Sequence, residues 1–266
     1  MQKLLAGLGF GSRRACEELV TSGRVLVNGA PARLGQRVDP AGDKVEVDGR
    51  PVGIRPGLVH YLLNKPLGVI STAHDPQHRP RVIDLVPPEP RVFPVGRLDA
   101  SSSGLLILTN DGELAHLLTH PSFEVEKEYV AVVRGSPSRG ALRALRQGVE
   151  LDDGRTAPAK VSVVGPGILR LVVREGRNRL VRRMCAEVGH PVRQLTRTRI
   201  GPVADQRLAP GHFRRLRKDE VLALTQAATA RQGSGAASGR RGVTRARPGS
   251  RPPGPRRGRA TPGSRR

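Results

Sequence analysis

Apolar residues recur along the chain with two different periods, and the change of period divides it. In "SRRACEELVTSGRVLVNG", Ala15, Cys16, Leu19 and Val20 fall on one helical face. Ser12 stands where an N-cap belongs, and Gly23 where a helix stops. "RVLV" then runs into Asn28-Gly29, and farther on "KVEVDG" alternates apolar and charged residues up to Asp48-Gly49. Both dipeptides favour tight hairpins, so residues 1–52 read as a small helix-plus-hairpin unit.

After the Pro/Gly-containing "RPVGIRPG", apolar strand candidates dominate: "VHYLL", "GVIST", "GLLILT", "EYVAVV", "KVSVV" and "ILRLVV". Helix-period segments lie between them: "DGELAHLLT", "SRGALRALRQG" and "RNRLVRRMCAEVG". Several of the strands are joined by short polar turns rather than by helical crossovers. The expectation for residues 58–228 is therefore an α+β domain on a mixed, mainly antiparallel sheet. From Thr229 to Arg266 the periodicity vanishes into Arg, Gly, Pro, Ser and Ala, the composition of a disordered tail.

Charge changes the picture next. The formal net charge is +23, and the last 36 residues hold eleven Arg and no acid, which leaves +12 on the first 230. A field of one sign draws polyanions, nucleic acid first among them. A membrane surface fits less well, because no run of 18 apolar residues is present and no basic helix carries Trp or Phe on its apolar face. With four Phe, two Tyr and no Trp, RNA binding by a stacking platform is disfavoured. Arg13 and Arg14 open a helix, where backbone N–H groups also favour phosphate, and Arg24, Arg33 and Arg37 follow nearby.

Candidate chemistry is sparse. No HExxH, GxxxxGK[ST] or GxSxG occurs, the seven His have no metal-ligand spacing, and "GLGFGS" follows a helix rather than a strand. Cys16 and Cys185 lie apart in helical segments and read as reduced, buried thiols. The N-terminus lacks a signal-peptide pattern, which makes the cytoplasm the expected compartment. There remain Asp99 in the glycine- and serine-rich turn "GRLDASSSG", Tyr129 in "VEKEYVAVV" and Arg182 in "REGRNRLVRRM". Each alone has an ordinary reading: a turn acid, a rim tyrosine, a solvated arginine.

Together these segments carry a resemblance. "QKLLAGLGFGSRRACEELVTSGRVLVNG" is similar to the RNA-binding domain first described in the fourth protein of the small ribosomal subunit. "LLNKPLGVIST", "GRLDASSSGLLILTNDGELAHLLTHPS", "VEKEYVAV" and "EGRNRLVRRM" resemble, in order, four blocks of the RsuA/RluB group of bacterial ribosomal-RNA pseudouridine synthases. The resemblance implies an enzyme that isomerises a uridine of ribosomal RNA without cofactor or metal. Its target would be free RNA or a pre-ribosomal particle, and it would act as a monomer. It implies Asp99 as nucleophile, Tyr129 as the ring against the flipped base, and Arg182 as the arginine that pairs with Asp99. Arg97 would hold a flanking phosphate. Lys65, Arg177, Arg179 and Arg183 join Arg13, Arg14 and Arg24 as RNA-binding candidates, Lys65 with a structural role as its alternative. The "GRNR" form and the Arg-rich tail favour 23S RNA; a 16S enzyme and a noncatalytic assembly factor are the alternatives.

Departures from the group's pattern are Leu180, where Gln is usual, and Ser102, where Thr is common. The first implies a missing polar contact to RNA or to the site. The chain starts inside what would be the first turn of the RNA-binding domain, so a few preceding residues are expected.

Overall fold

The computed structural model describes residues 1–39, 42–52 and 57–238. Helices α1 (Gln2–Gly7) and α2 (Arg13–Thr21) pack on a four-stranded antiparallel sheet of β1 (Val25–Val27), β2 (Ala30–Pro31), β3 (Val45–Val47) and β4 (Arg50–Pro51). Ser12 caps α2 as expected, its Oγ accepting from the Ala15 N–H at 3.1 Å, a contact worth about 1 kcal/mol. Both hairpins turn through two residues of positive φ, Asn28-Gly29 and Asp48-Gly49. Leu5, Cys16, Val25 and Val45 close a small core between the layers.

The larger part is built on a nine-stranded sheet. Its strands are β5 (His60–Lys65), β6 (Phe93–Pro94), β7 (Ser103–Thr109), β8 (Lys127–Val133), β9 (Lys160–Gly165), β10 (Ile168–Val173), β11 (Val192–Ile200), β12 (Val203–Ala204) and β13 (Phe213–Arg215). The main order is β13-β5-β7-β11-β8-β10-β9, and every pairing is antiparallel except β7 with β11. That parallel contact holds only two register pairs, Thr196 with Ser103 and Arg197 with Gly104. The helices are α3 (Gly112–Thr119), α4 (Arg139–Gln147), α5 (Leu180–Glu187) and α6 (Lys218–Ser238). Alternation along β7 sends Leu105 and Ile107 into a core under α3 and α6. Leu106 and Leu108 enter a second core with Tyr61, Leu63 and Val82. A third core joins β8 and β10 to α4 and α5 around Leu145, Leu171 and Met184.

Three sequence expectations are corrected. "GVIST" is not a strand; only Ile70 forms a bridge, to Arg81. Pro66 offers no N–H to a ladder and Gly68 turns at φ +82, so the segment is held by isolated bonds instead, among them Ile70 N–H to the Pro80 carbonyl at 2.9 Å and Lys65 Nζ to the Val69 carbonyl at 2.7 Å. The basic helix starts at Leu180, because Arg179 adopts a left-handed φ of 49°. Helix α6 runs to Ser238, ten residues into the segment expected to be disordered. Residues 239–266 of that expected tail lie outside the described residues, as do residues 53–56 of the linker. No helix among the described residues is long and apolar enough to cross a membrane.

Candidate active site

Asp99 belongs to the turn that leads from β6 into β7, and its neighbours pin that turn. The buried Ser71 hydroxyl donates to the Leu98 carbonyl at 2.9 Å and accepts from the Leu98 N–H at 3.1 Å. The Ser102 N–H donates to the Asp99 carbonyl at 3.0 Å, and the Gly68 N–H to the Ala100 carbonyl at 2.8 Å. The backbone on both sides of the acid is thus fixed, while its carboxylate stays one-third exposed. Two concavities meet there. One, of ≈ 330 Å³, is lined by Tyr129, Lys127, Arg197, Val173, Leu180 and Leu195 among others. The second, of ≈ 460 Å³, is lined by Thr72, His74 and Arg79 and shares Arg97, Asp99 and Asn178 with the first.

The first cleft opens where β7 and β11 stop pairing. Tyr129 of β8 stands opposite Arg197 of β11 and Leu171 of β10. Lys127, two residues earlier on β8, shares its side of the strand and lines the same cleft. Leu180, expected to mark a lost polar contact, is 5 % exposed and packs into the core beneath α5. It supplies an apolar wall.

The cations of the basic segment divide by partner. Arg179 Nη1 approaches Asp99 Oδ2 at 3.4 Å and makes the ion pair that the resemblance assigned to Arg182. Arg182 donates instead to the Ser101 carbonyl at 2.7 Å, to Ser102 Oγ at 3.2 Å and to the Val192 carbonyl at 3.2 Å. It fastens the start of β7 to the start of β11, and the helix that carries it, α5, starts after the αL residue Arg179, which lines the cleft. Burial and the neighbouring Arg179 push the Arg182 guanidinium below its ordinary range, against the pull of Asp99.

Other RNA-binding candidates are already engaged within the chain. Arg177 pairs with Glu175 and Asp153, both at 2.8 Å, and Arg183 pairs with Asp153 and Asp152. Arg24 holds Asp48 through two bonds, at 2.7 and 2.6 Å. Lys65 is fully buried, its Nζ donating to the Pro66 and Val69 carbonyls at 2.8 and 2.7 Å. Both bonds lie within the chain, in the turn that precedes Ile70. Burial lowers Lys65 to about 8; the Asp99 charge opposes the shift and Arg197 adds to it. Arg97 is exposed at the cleft, while Arg13 and Arg14 are exposed at the start of α2.

Two cleft residues were not singled out in the sequence. Lys127 Nζ donates to the Val125 carbonyl at 3.0 Å and is lowered to about 8, mainly by burial and further by Arg197. Arg197 is 3 % exposed, and its Nε donates to the Leu105 carbonyl at 2.7 Å. The signal for Lys127 was its place two residues before Tyr129. For Arg197 it was weaker, since "VRQLTRTRI" reads as too polar for a central strand. Cys16 and Cys185 are buried free thiols; burial pushes Cys185 up to about 12. Among the described residues, no group of three His, Cys, Asp or Glu could hold a metal ion.

A small basic domain of helices and hairpins, joined to a sheet whose cleft holds a carboxylate, a tyrosine and arginines, is the equipment of an enzyme that acts on RNA. Residues 2–45 match the S4 domain, and residues 59–187 match the family described as RNA pseudouridylate synthase. Similarity extends well beyond those segments. An uncharacterised RNA pseudouridine synthase of Mycobacterium bovis is 48 % identical over 236 residues, 85 % of this chain and 93 % of that one. The ribosomal large subunit pseudouridine synthase B of Bacillus subtilis is 44 % identical over 232 residues, covering 84 % and 94 %. A solved pseudouridylate synthase superposes with a TM-score of 0.63 at 26 % identity, over 84 % of this chain and 98 % of its own. The chain belongs to the RNA pseudouridine synthases, in the S4-bearing RsuA/RluB group.

Proposed function

We propose that the protein converts one uridine of 23S ribosomal RNA to pseudouridine, with Asp99 as the residue that acts on the nucleotide. The observation that carries this reading is the pinned turn that holds Asp99 at the cleft edge, against Arg179 and beside Tyr129. The large-subunit target is supported by the name of the Bacillus subtilis relative. Substrate and product are isomers, so the reaction consumes no reductant, oxidant or group donor. The N1–C1′ bond breaks, the base turns, C5 bonds to C1′, and the C5 proton leaves while N1 gains one.

The uridine must first leave its stack, which costs a few kcal/mol. Val173, Leu180 and Leu195 then offer the extruded base a dry wall, and the Tyr129 ring lies against it. When RNA closes over the cleft, the Arg179 guanidinium beside Asp99 supplies the opposite charge next to its carboxylate. Arg182 acts as a positioning residue by holding the Ser101 carbonyl two residues from Asp99. Arg97 at the mouth and Arg13 and Arg14 on α2 take phosphates. The enzyme works as a monomer, in the cytoplasm, on ribosomal RNA or a pre-ribosomal particle.

Carbodiimide-stop mapping of ribosomal RNA from a deletion strain tests the target. One 23S stop should vanish, return with the wild-type gene and stay absent with Asp99→Asn. An unchanged 23S profile would refute the assignment.

A further inference from the structure

We propose that Arg197 and Lys127 form a cationic site at the floor of the cleft that takes up negative charge from the uracil carbonyl oxygens as the glycosidic bond breaks. This rests on the reading of the cleft as the place where the uridine is held.

Arg197 is a buried arginine with unused capacity. Its Nε is bonded to the Leu105 carbonyl, but its Nη2 is buried and has no hydrogen-bond partner. Buried donors are nearly always satisfied, so an orphan on a residue that lines a cleft calls for a ligand acceptor. The residue cannot drift away to find one. Gly104 of β7 lies so close that a Cβ there would sit 2.2 Å from the Arg197 carbonyl oxygen, which fixes the backbone from which the side chain starts, while the Nε bond to Leu105 holds the guanidinium.

Lys127 supplies the second donor. Its Nζ has one partner, the Val125 carbonyl, and it lies near enough to Arg197 for the two charges to repel. The acids flanking it pair with other cations: Glu126, just before β8, with Lys160 and Arg174, and Glu128 with Arg199. A buried and a half-buried like charge thus line one cleft with Tyr129, an arrangement that costs stability until an anion or strong acceptor arrives. The exposed Arg97 and Arg179 at the mouth suit phosphates. The floor, behind apolar Val173 and Leu195, suits a flat ring with carbonyl oxygens.

The chemistry requires such a site. When N1–C1′ breaks, its electron pair remains with the ring and spreads over O2 and O4. The sugar compensates by a bond from Asp99 to C1′ or by loss of its 2′ proton to Asp99. The ring carries the same charge in either case. That charge is returned when C5 bonds to C1′, which releases the Asp99 carboxylate or draws its proton back to C2′; the C5 proton then leaves as N1 takes one up. Donors fixed beforehand where charge develops lower the barrier without reorganising. Cytosine would turn an amino group toward the same donors, so the site also selects uracil.

The test uses total ribosomal RNA from the deletion strain as substrate, so wild-type turnover is obtained whichever subunit carries the target. Lys127→Met, Lys127→Gln and Lys127→Arg are compared by single-turnover rate at saturating RNA, by RNA affinity and by thermal melting. The neutral variants should lose at least tenfold in rate, bind RNA within threefold of wild type and melt no lower, since a repelled, half-buried charge has gone. Lys127→Arg should restore most of the rate. A wild-type rate in both neutral variants overturns the proposal, as does a loss confined to RNA affinity, which would mark a phosphate contact. A 16S rather than a 23S product would refute the target reading and leave this one standing.

Discussion

Replacing Gly104 with alanine puts the β7–β11 junction to a quantitative test. Gly104 has φ +105, a conformation that L-residues avoid at about 1–2 kcal/mol. Its Cβ would lie 2.2 Å from the Arg197 oxygen and 2.5 Å from the Arg197 nitrogen. Both are backbone atoms of a central strand, so no side chain can swing aside, and overpacking of this kind adds about 1–3 kcal/mol. The sum is about 2–5 kcal/mol, or a melting-temperature fall of about 4–20 °C for a domain of this size. Gly154→Ala is the control: its φ is +97 but nothing lies within 4 Å, so only the conformational cost of about 1–2 kcal/mol applies. Calorimetry on both variants reads the difference. If Gly104→Ala melts no lower than Gly154→Ala, the close approach of β7 to Arg197 is not a constraint, and the account of a fixed Arg197 backbone fails with it.

Two further predictions concern charge. With Lys127 at about 8, the single-turnover rate should fall above pH 8, and Lys127→Arg should remove that fall. Arg197, Lys65 and Asp99 are the other charged groups around the floor, and a fall that survives in Lys127→Arg would assign it to Lys65, also at about 8. Stability should move the opposite way: both lysines are lowered on folding, so from pH 8 to about 9 the unfolded chain holds more protons and the fold gains stability as pH rises. Arg179→Ala should abolish most activity at a cost of under about 1 kcal/mol in stability, because its ion pair is half-exposed. Arg182→Ala removes three hydrogen bonds and should cost about 2–3 kcal/mol, read by urea unfolding; equal stability in the two variants would contradict the division of roles.

What the sequence made legible follows from where periodicity is strong. The Ser12 cap, both two-residue hairpin turns and the apolar β7, β8 and β10 were readable because local rules and burial agree there. Strand β11 was not, since Arg193, Arg197 and Arg199 interrupt its apolar pattern, and only the tertiary setting makes Arg197 an inward residue. Asp99 and Tyr129 were found through the blocks around them, and they share one cleft. The partner of Asp99 was misplaced by three positions, close to one helical turn. No sequence rule announces that Arg179 is left-handed and therefore precedes the helix, facing the acid, while Arg182 is drawn beneath it. Lys65 looked available for RNA because lysines are usually exposed; its burial depends on carbonyls at Pro66 and Val69 that only the folded turn presents.

The clamp of Asp152 and Asp153 on Arg177 and Arg183 has a consequence for selectivity. Two arginines beside the cleft carry their own counterions, built into the chain. They release no salt when RNA arrives and so contribute little to the indiscriminate attraction that any polyanion feels. The strongly basic protein therefore keeps a nearly neutral collar around part of its reactive opening. On this account the charge that draws RNA to the opening rests on Arg97 and Arg179, the exposed arginines at its mouth, and not on the two that are already neutralised.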